Sequence, residues 1–284
     1  MDPKRIATET LAAFETGSYL TGSYLSPEGG NVELSALLGE CLEGTREYQP
    51  EQLAALLSRL PHPSSTGLAT TFTVAPESTL QGAARLSASG EYQRIVVLNF
   101  ASARKPGGGF LGGAQAQEES LARSSALYLS LLRCPEFYAY HRSLDTCLYS
   151  DRMIYSPRCP VVRDDGGRWL ASPYVVDFIS SAAPNAGAIM RNEPHNRAHI
   201  APIMYERVRK VLALAAHRQG GGLVLGAWGC GVFHNDPRMV ASAFFKHLGP
   251  GGEFENRFRH ILFAIHDSSR ERAVYNAFLT LRRG

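Results

Sequence analysis

Apolar positions recur at two different spacings along this chain. Near the start, Ile6, Thr10, Leu11 and Phe14 repeat at helical intervals behind Pro3, which suits a first helical turn. Leu53, Ala54, Leu56, Leu57 and Leu60 do the same behind Pro50, and the stretch 61–67, PHPSSTG, reads as a loop. From residue 70 the texture changes to short apolar runs alternating with longer amphipathic ones. TTFTVA (70–75) predicts a strand, and Ser78 caps a helix running to about Leu86. RIVVLNFA (94–101) is almost continuously apolar and β-branched, the pattern of a strand buried on both faces. A glycine-rich loop and a helix from about Glu118 to Arg133 follow. The stretch 150–165 predicts a strand pair, and YVVDFISSAA (174–183) another buried strand. Ile200, Ile203, Met204, Val208, Val211, Leu212 and Ala215 share one face of a helix over roughly 198–218. GLVLGAW (222–228) and HILFAIHD (260–267) are strands. Between them Asn235 and Asp236 can cap a helix that has Pro237 in its first turn and ends before Gly249. Ser268 or Ser269 caps a final helix marked by Val274, Ala277, Phe278 and Leu281.

Strand–helix alternation with doubly buried strands predicts an α/β fold: a three-layer α/β/α sandwich with a mixed, mostly parallel sheet. In such sheets ligands bind beyond the carboxyl ends of the strands. The expected division is a helical extension over 1–68 packed on a core over 69–284.

Composition narrows the class. With 44% hydrophobic residues and a net charge of +3, the chain is neither disordered nor basic enough to track phosphates along a nucleic-acid groove. No apolar run reaches the length of a membrane span, and MDPKRIATET is not a signal peptide. Cys41, Cys134, Cys147, Cys159 and Cys230 are odd in number and form no CxxC, so neither a disulfide framework nor a zinc site is expected. A cytoplasmic protein is the expectation.

Two loops carry candidate chemistry. The first runs from Asn99 through Ser102, Gly107, Gly108, Gly109, Gly112 and Gly113 to Gln117, Glu118 and Glu119. Its glycines let backbone N–H groups approach a ligand closely. Two adjacent carboxylates at a helix entry repel each other, and repulsion plus burial raises one pKa, as a general acid near neutral pH requires. The second loop, Gly229, Cys230, Gly231, Val232, Phe233, His234, Asn235, lies between a buried strand and a capped helix, the geometry of an anion cradle. Either loop alone could be an ordinary βα turn. Together, in one sheet, they point to a site.

The triple glycine followed after seven residues by Gln117-Glu118-Glu119 resembles the signature of poly(ADP-ribose) glycohydrolases. GAWGCGVF (226–233) resembles the diphosphate loop of macrodomains, the fold on which those enzymes are built, and Ser181–Asn185 looks like the bacterial-type branch. The likeness spans about 70–284 in the right order, and 1–60 resembles that branch's N-terminal extension. It implies hydrolysis of ribose–ribose bonds in poly(ADP-ribose), releasing ADP-ribose, with Glu119 as general acid and then base, Glu118 on the ribose hydroxyls and Gln117 helping to position them. It implies Asn99, Ser102, the triple glycine, Gly229–Phe233 and Asn235 as substrate contacts, with Phe233 against the distal ribose. Where many macrodomains carry an Asn five residues before the triple glycine, this chain has Ser102, whose hydroxyl can substitute. No cofactor or metal is implied. The expected partners are poly(ADP-ribose) and ADP-ribose, with ADP-ribosylated proteins as carriers, and neither a membrane nor a stable nucleic-acid complex. The other readings are a non-catalytic ADP-ribose reader, which would not need paired acids, and a hydrolase of mono-ADP-ribosylated proteins.

Four further features stand apart. His195 and His199 have the spacing of zinc ligands on a helix but no evident third ligand. Asp164–Gly167 reads as a polar hairpin turn, and Gly220–Gly222 and Pro250–Gly252 as connectors. Arg142, Arg152, Arg158 and Arg163 with Tyr140, Tyr149 and Tyr155 suit either adenine stacking and phosphate contact or an amphipathic surface.

Overall fold

The computed structural model describes residues 2–21, 30–60 and 69–282, so the loop expected at 61–67 lies outside the described residues. β1 (Ser18–Leu20) and β2 (Asn31–Glu33) form a small antiparallel pair. The main sheet contains β3 (Arg46–Tyr48), β4 (Thr71–Ala75), β5 (Ile95–Phe100), β6 (Met153–Arg163), β7 (Trp169–Ser181), β8 (Gly222–Leu225) and β9 (His260–Ala264), in the order β3-β6-β7-β5-β8-β9-β4. The pairings from β7 across to β4 are parallel, and those attaching β6 and β3 are antiparallel. The sheet is mixed and mostly parallel, as expected.

The apolar runs explain the layering. Val96 and Leu98 of β5 join Leu223, Ile261 and Phe263 in one core, while Ile95 and Val97 join Val224 and Leu262 in the other. Successive strand residues point to opposite faces, so both faces must be covered. The helices are α1 (Pro3–Thr16), α2 (Ser35–Gly44), α3 (Pro50–Ser58), α4 (Thr79–Ala88), α5 (Gln117–Ser124), α6 (Leu127–Leu131), α7 (Pro135–Ser143), α8 (Ala186–Asn192), α9 (Ile200–His217), α10 (Pro237–Leu248) and α11 (Ala273–Arg282). Leu53, Met204, Phe244 and Phe278 bring α3, α9, α10 and α11 to the first core. Phe14, Cys41, Leu80, Leu127 and Phe137 bring α1, α2, α4, α6 and α7 to the second. None of the described helices is long and apolar enough to cross a membrane.

Caps fix the helix starts that frame the sheet's carboxyl edge. Ser78 accepts from Gln81 N–H at 3.0 Å and Gln81 returns a bond to Ser78 N–H at 2.9 Å, a reciprocal box on α4. Asp236 accepts from Arg238 N–H at 2.8 Å to cap α10. At α11 the cap is Asp267 rather than either serine: its Oδ2 accepts from Val274 N–H at 2.9 Å and Tyr275 N–H at 3.2 Å.

Three stretches differ from the sequence reading. The helix expected over 118–133 breaks into α5 and α6 at Ser125, which is extended and bridges Val161 of β6. Tertiary pairing there overrides helix propensity. The stretch 150–165 holds one strand, not a pair, because its partner β7 starts at Trp169. Three arginines of the arginine–tyrosine set are taken up by ion pairs instead. Arg152 pairs with Glu47 at 2.7 Å, Arg158 with Glu40 at 2.6 Å and Arg163 with Glu9 at 2.9 Å, all acids of the first fifty residues. Together with β3 on β6 and the Thr10 Oγ1 bond to Arg123 O at 2.8 Å, they tie that segment to the sheet.

Candidate active site

A cleft of about 870 Å³ opens over the carboxyl ends of β5, β8 and β9. Its walls come from the loop after β5, the start of α5, the loop after β8 and the start of α4. Both glycine-rich loops picked out from the sequence therefore face one cavity.

The first wall is locked by Gln117. Its Oε1 accepts from Phe100 N–H at 2.9 Å, and its Nε2 donates to Leu98 O at 2.8 Å and Thr79 Oγ1 at 3.2 Å. Both amide hydrogens are thus taken by protein oxygens. Gln117 pins the start of α5 to the end of β5 and positions the two carboxylates rather than donating to a sugar.

The carboxylates have different surroundings. Glu118 is only 3% exposed. Its Oε2 accepts from Ser102 N–H at 2.7 Å and its Oε1 from Asn99 Nδ2 at 3.2 Å. Burial pushes its carboxyl up to about 8; the bonds from Ser102, Asn99 and Gly107 moderate that rise, and the Glu119 charge adds to it. The raised pKa expected of one carboxyl in the pair therefore falls on Glu118, which burial biases toward its neutral form. Glu119 is half-buried and accepts from Gly109 N–H at 2.9 Å through Oε1; among the described residues no hydrogen bond engages its other oxygen. Gly108, at φ +60°, leaves it room: a Cβ there would lie 2.3 Å from Glu119 Oε1. Gly107, at φ +66°, sits over the Phe110 and Tyr128 rings, which form the floor of the loop.

Three expected contact residues stand behind the wall instead. Asn99 is wholly buried, donating to Glu118 and to Ser180 Oγ at 2.9 Å, and its Oδ1 is buried without a partner. Gly107 is buried under the loop. Asn235 is 2% exposed and donates to Pro184 O at 2.8 Å and Gly229 O at 3.1 Å, clasping the second loop shut. Ser102 does line the cleft, with its Oγ accepting from Arg104 N–H and Lys105 N–H at 3.3 and 3.2 Å.

The second wall is the turn after β8. Gly229 has φ +71°, and a Cβ on it would strike Asn235 Nδ2 at 2.5 Å and Ala183 Cβ at 2.7 Å. Trp228 is fully buried and donates to Ser181 O at 3.2 Å, anchoring the turn to β7. Gly229, Cys230, Gly231, Val232 and Phe233 all line the cleft, and Val232 is 75% exposed. Cys230 is no nucleophile, because burial pushes its thiol up to about 12. Phe233 is half-buried, with one side on the core and its ring 6.2 Å from that of Tyr149.

Sequence reasoning missed the far end of the cleft. Ser78, Gln81, Asp165, His266 and Val274 line it, and Ser78 Oγ donates to Asp165 Oδ2 at 2.5 Å. Asp165 belongs to the expected β6–β7 turn, closed by Gly167 N–H on Asp164 O at 2.9 Å. His195 and His199 are exposed on a short 3-10 turn away from the cleft, and among the described residues no group of His, Cys, Asp and Glu could hold a metal ion.

The sequence matches the family described as microbial-type PARG, catalytic domain, over residues 7–164. No curated protein matches it. Among solved structures, the poly(ADP-ribose) glycohydrolase of Thermomonospora curvata is 45% identical, with 98% of each chain covered and a TM-score of 0.92. The same enzyme bound to the inhibitor ADP-HPD is 44% identical, with 99% of each chain covered and a TM-score of 0.89. The Deinococcus radiodurans poly(ADP-ribose) glycohydrolase in complex with ADP-ribose is 40% identical over 89% of this chain and 98% of that one, with a TM-score of 0.82.

Proposed function

The chain belongs to the microbial-type poly(ADP-ribose) glycohydrolases, and we propose that it performs that reaction with Glu119 as its acid and base. It is a glycoside hydrolase acting on the ribose–ribose O-glycosidic bonds of poly(ADP-ribose). The observation that carries the role assignment is the difference between the two carboxyls: Glu118 has both oxygens held inside the wall, while Glu119 is tethered by one oxygen and faces the cleft.

The chemistry follows from that difference. The terminal ADP-ribose lays its diphosphate on the Gly229–Val232 turn and its distal ribose between Phe233 and Gly108. Glu119 gives its proton to the glycosidic oxygen as the C1–O bond breaks, which leaves an oxocarbenium-like ribose and a free hydroxyl on the departing chain. Water then adds to C1 and Glu119 takes its proton, so acid and base roles alternate on one group. Glu118, buried and with both oxygens held, is unsuited to be a nucleophile. It orients a ribose hydroxyl. The diphosphate, close to the cationic carbon, stabilises it.

Residues 1–68 act as an extension that buttresses a core of 69–284 through β3 and the Glu9, Glu40 and Glu47 ion pairs. ADP-ribosylated proteins carry the substrate to the enzyme. Five free cysteines suit a reducing compartment such as the cytoplasm. The test is incubation with purified poly(ADP-ribose), resolving product lengths over time. Release of ADP-ribose is the expected result, and binding without release would leave a reader.

A further inference from the structure

Among the described residues, three cations on and beside the cleft wall stand without carboxylate partners. Arg104 and Lys105 are exposed neighbours on the loop after β5, and Arg142 is exposed near the end of α7. Among the described residues none of the three is in an ion pair, although Arg152, Arg158 and Arg163 each have one. Their backbone is fixed. Ser102 Oγ holds Arg104 N–H and Lys105 N–H, and Gly108 N–H donates to Lys105 O at 3.1 Å. Arg142 Nη1 donates to Arg104 O at 3.0 Å, which brings the third cation to the same place. Tyr149 continues the surface, with its ring beside Phe233 and its phenol beside Arg104 and Asn185. A path therefore runs from Phe233 over Tyr149 to Arg104 and Arg142, with Lys105 on the cleft wall.

Sheet order assigns the path a ligand. The cleft lies over β9, β8 and β5, and the next strands in line are β7 and β6. If the diphosphate sits over β8 and the distal ribose over β5, the adenosine lies towards β9. The group bonded to the scissile carbon then leaves in the opposite direction, over β7 and β6. That is the side on which Tyr149, Arg104 and Arg142 stand. In a polymer of ADP-ribose the departing group is itself a nucleoside diphosphate, with two phosphate charges and an aromatic base.

We propose that Arg104, Lys105 and Arg142, with Tyr149, form a subsite for the departing ADP-ribose unit of the polymer. The cations meet its diphosphate and Tyr149 meets its adenosine. The assignment rests on the catalytic reading above, since it takes its direction from Glu119. It gives the enzyme a reason to prefer polymer over single ADP-ribose units on proteins: a side-chain leaving group has no diphosphate for these cations.

The experiment compares two probes, poly(ADP-ribose) and an ADP-ribose nitrophenyl glycoside, whose leaving group has no phosphate. The variants are Lys105→Ala, the double Arg104→Ala/Lys105→Ala, Arg142→Gln, and the charge-conserving Arg104→Lys/Lys105→Arg. kcat/KM is measured at about 20 and about 200 mM salt, a range over which exposed phosphate contacts weaken strongly. On poly(ADP-ribose) the double variant should lose about tenfold, the sum of modest exposed charge contacts, and show a shallower salt dependence. Nitrophenyl glycoside turnover and thermal midpoint should hold, and the charge-conserving pair should keep polymer activity. Unchanged polymer turnover, or equal losses on both probes, would overturn the subsite. A wild-type enzyme that releases no ADP-ribose from polymer would instead overturn the catalytic reading.

Discussion

Replacing Gly108 by alanine should disable the enzyme while leaving it folded. The added Cβ would lie 2.3 Å from Glu119 Oε1 and 3.0 Å from its carboxyl carbon, where ordinary contact begins at 3.4 Å. The carboxylate must therefore retreat by about 1.1 Å, the difference between 3.4 and 2.3 Å, and loosen its 2.9 Å bond from Gly109 N–H. It sits at the end of a flexible side chain, so the fold yields there at little cost. The left-handed backbone of Gly108, at φ +60°, adds strain of about 1–2 kcal/mol for a residue with a Cβ. That lowers the thermal midpoint by a few degrees in a chain of this size. A misplacement of about 1 Å costs roughly 10²-fold in rate. Turnover of poly(ADP-ribose), calorimetric affinity for ADP-ribose and thermal midpoint are measured on one preparation. Gly112→Ala is the control, because nothing lies within 4 Å of its Cβ. Near-native turnover in a folded Gly108→Ala enzyme would refute the claim that Glu119 acts from this position.

If its ring fixes the distal ribose as proposed, Phe233→Ala should lower turnover far more than ADP-ribose affinity, since the ring is only partly buried against the core; a loss of stability as large as the ~3–5 kcal/mol of a full core cavity would mean that it is mainly an anchor. Glu118 makes stability depend on pH. In the folded chain it keeps its proton up to about 8, against an ordinary 4.5, so its contribution is complete below that ordinary value and is lost as pH rises through about 8. The thermal midpoint should fall between about pH 5 and about pH 9, and Glu118→Gln should flatten the fall; equal slopes in the two proteins would contradict a buried neutral acid.

The parallel core was legible because doubly buried strands leave continuous apolar runs, as at 94–101 and 260–264. Three-residue strands such as β1 and β3 carry no readable period, and β3 exists only because β6 offers it an edge. The break at Ser125 was invisible for the same reason: its cause is Val161, thirty-six residues away in sequence. Within the site, the glycines and the carboxylate pair stood out by composition. Which carboxyl is buried depends on Asn99 and Ser102 folding behind it, and sequence order does not say which side of a strand end faces solvent. Asn99 and Asn235 are polar residues beside a ligand loop, yet both hold the loops rather than face the cleft. Ser78 and Gln81 share the capping box of α4, which reads as a helix start, while His266 and Val274 come singly from other elements, so none of the four marked a site.

The most direct test of the central claim is Glu119→Gln. The amide keeps the size of the side chain and an oxygen for Gly109 N–H, but has no proton to give. Removing a general acid and base costs about 10²–10⁴ in rate. Turnover of poly(ADP-ribose) should fall by that factor with ADP-ribose affinity preserved, and Glu118→Gln, which gives up one of the two bonds from Ser102 N–H and Asn99 Nδ2 but removes no group that transfers a proton, should lose less. Near-native turnover in Glu119→Gln, or a larger loss in Glu118→Gln, would contradict the account.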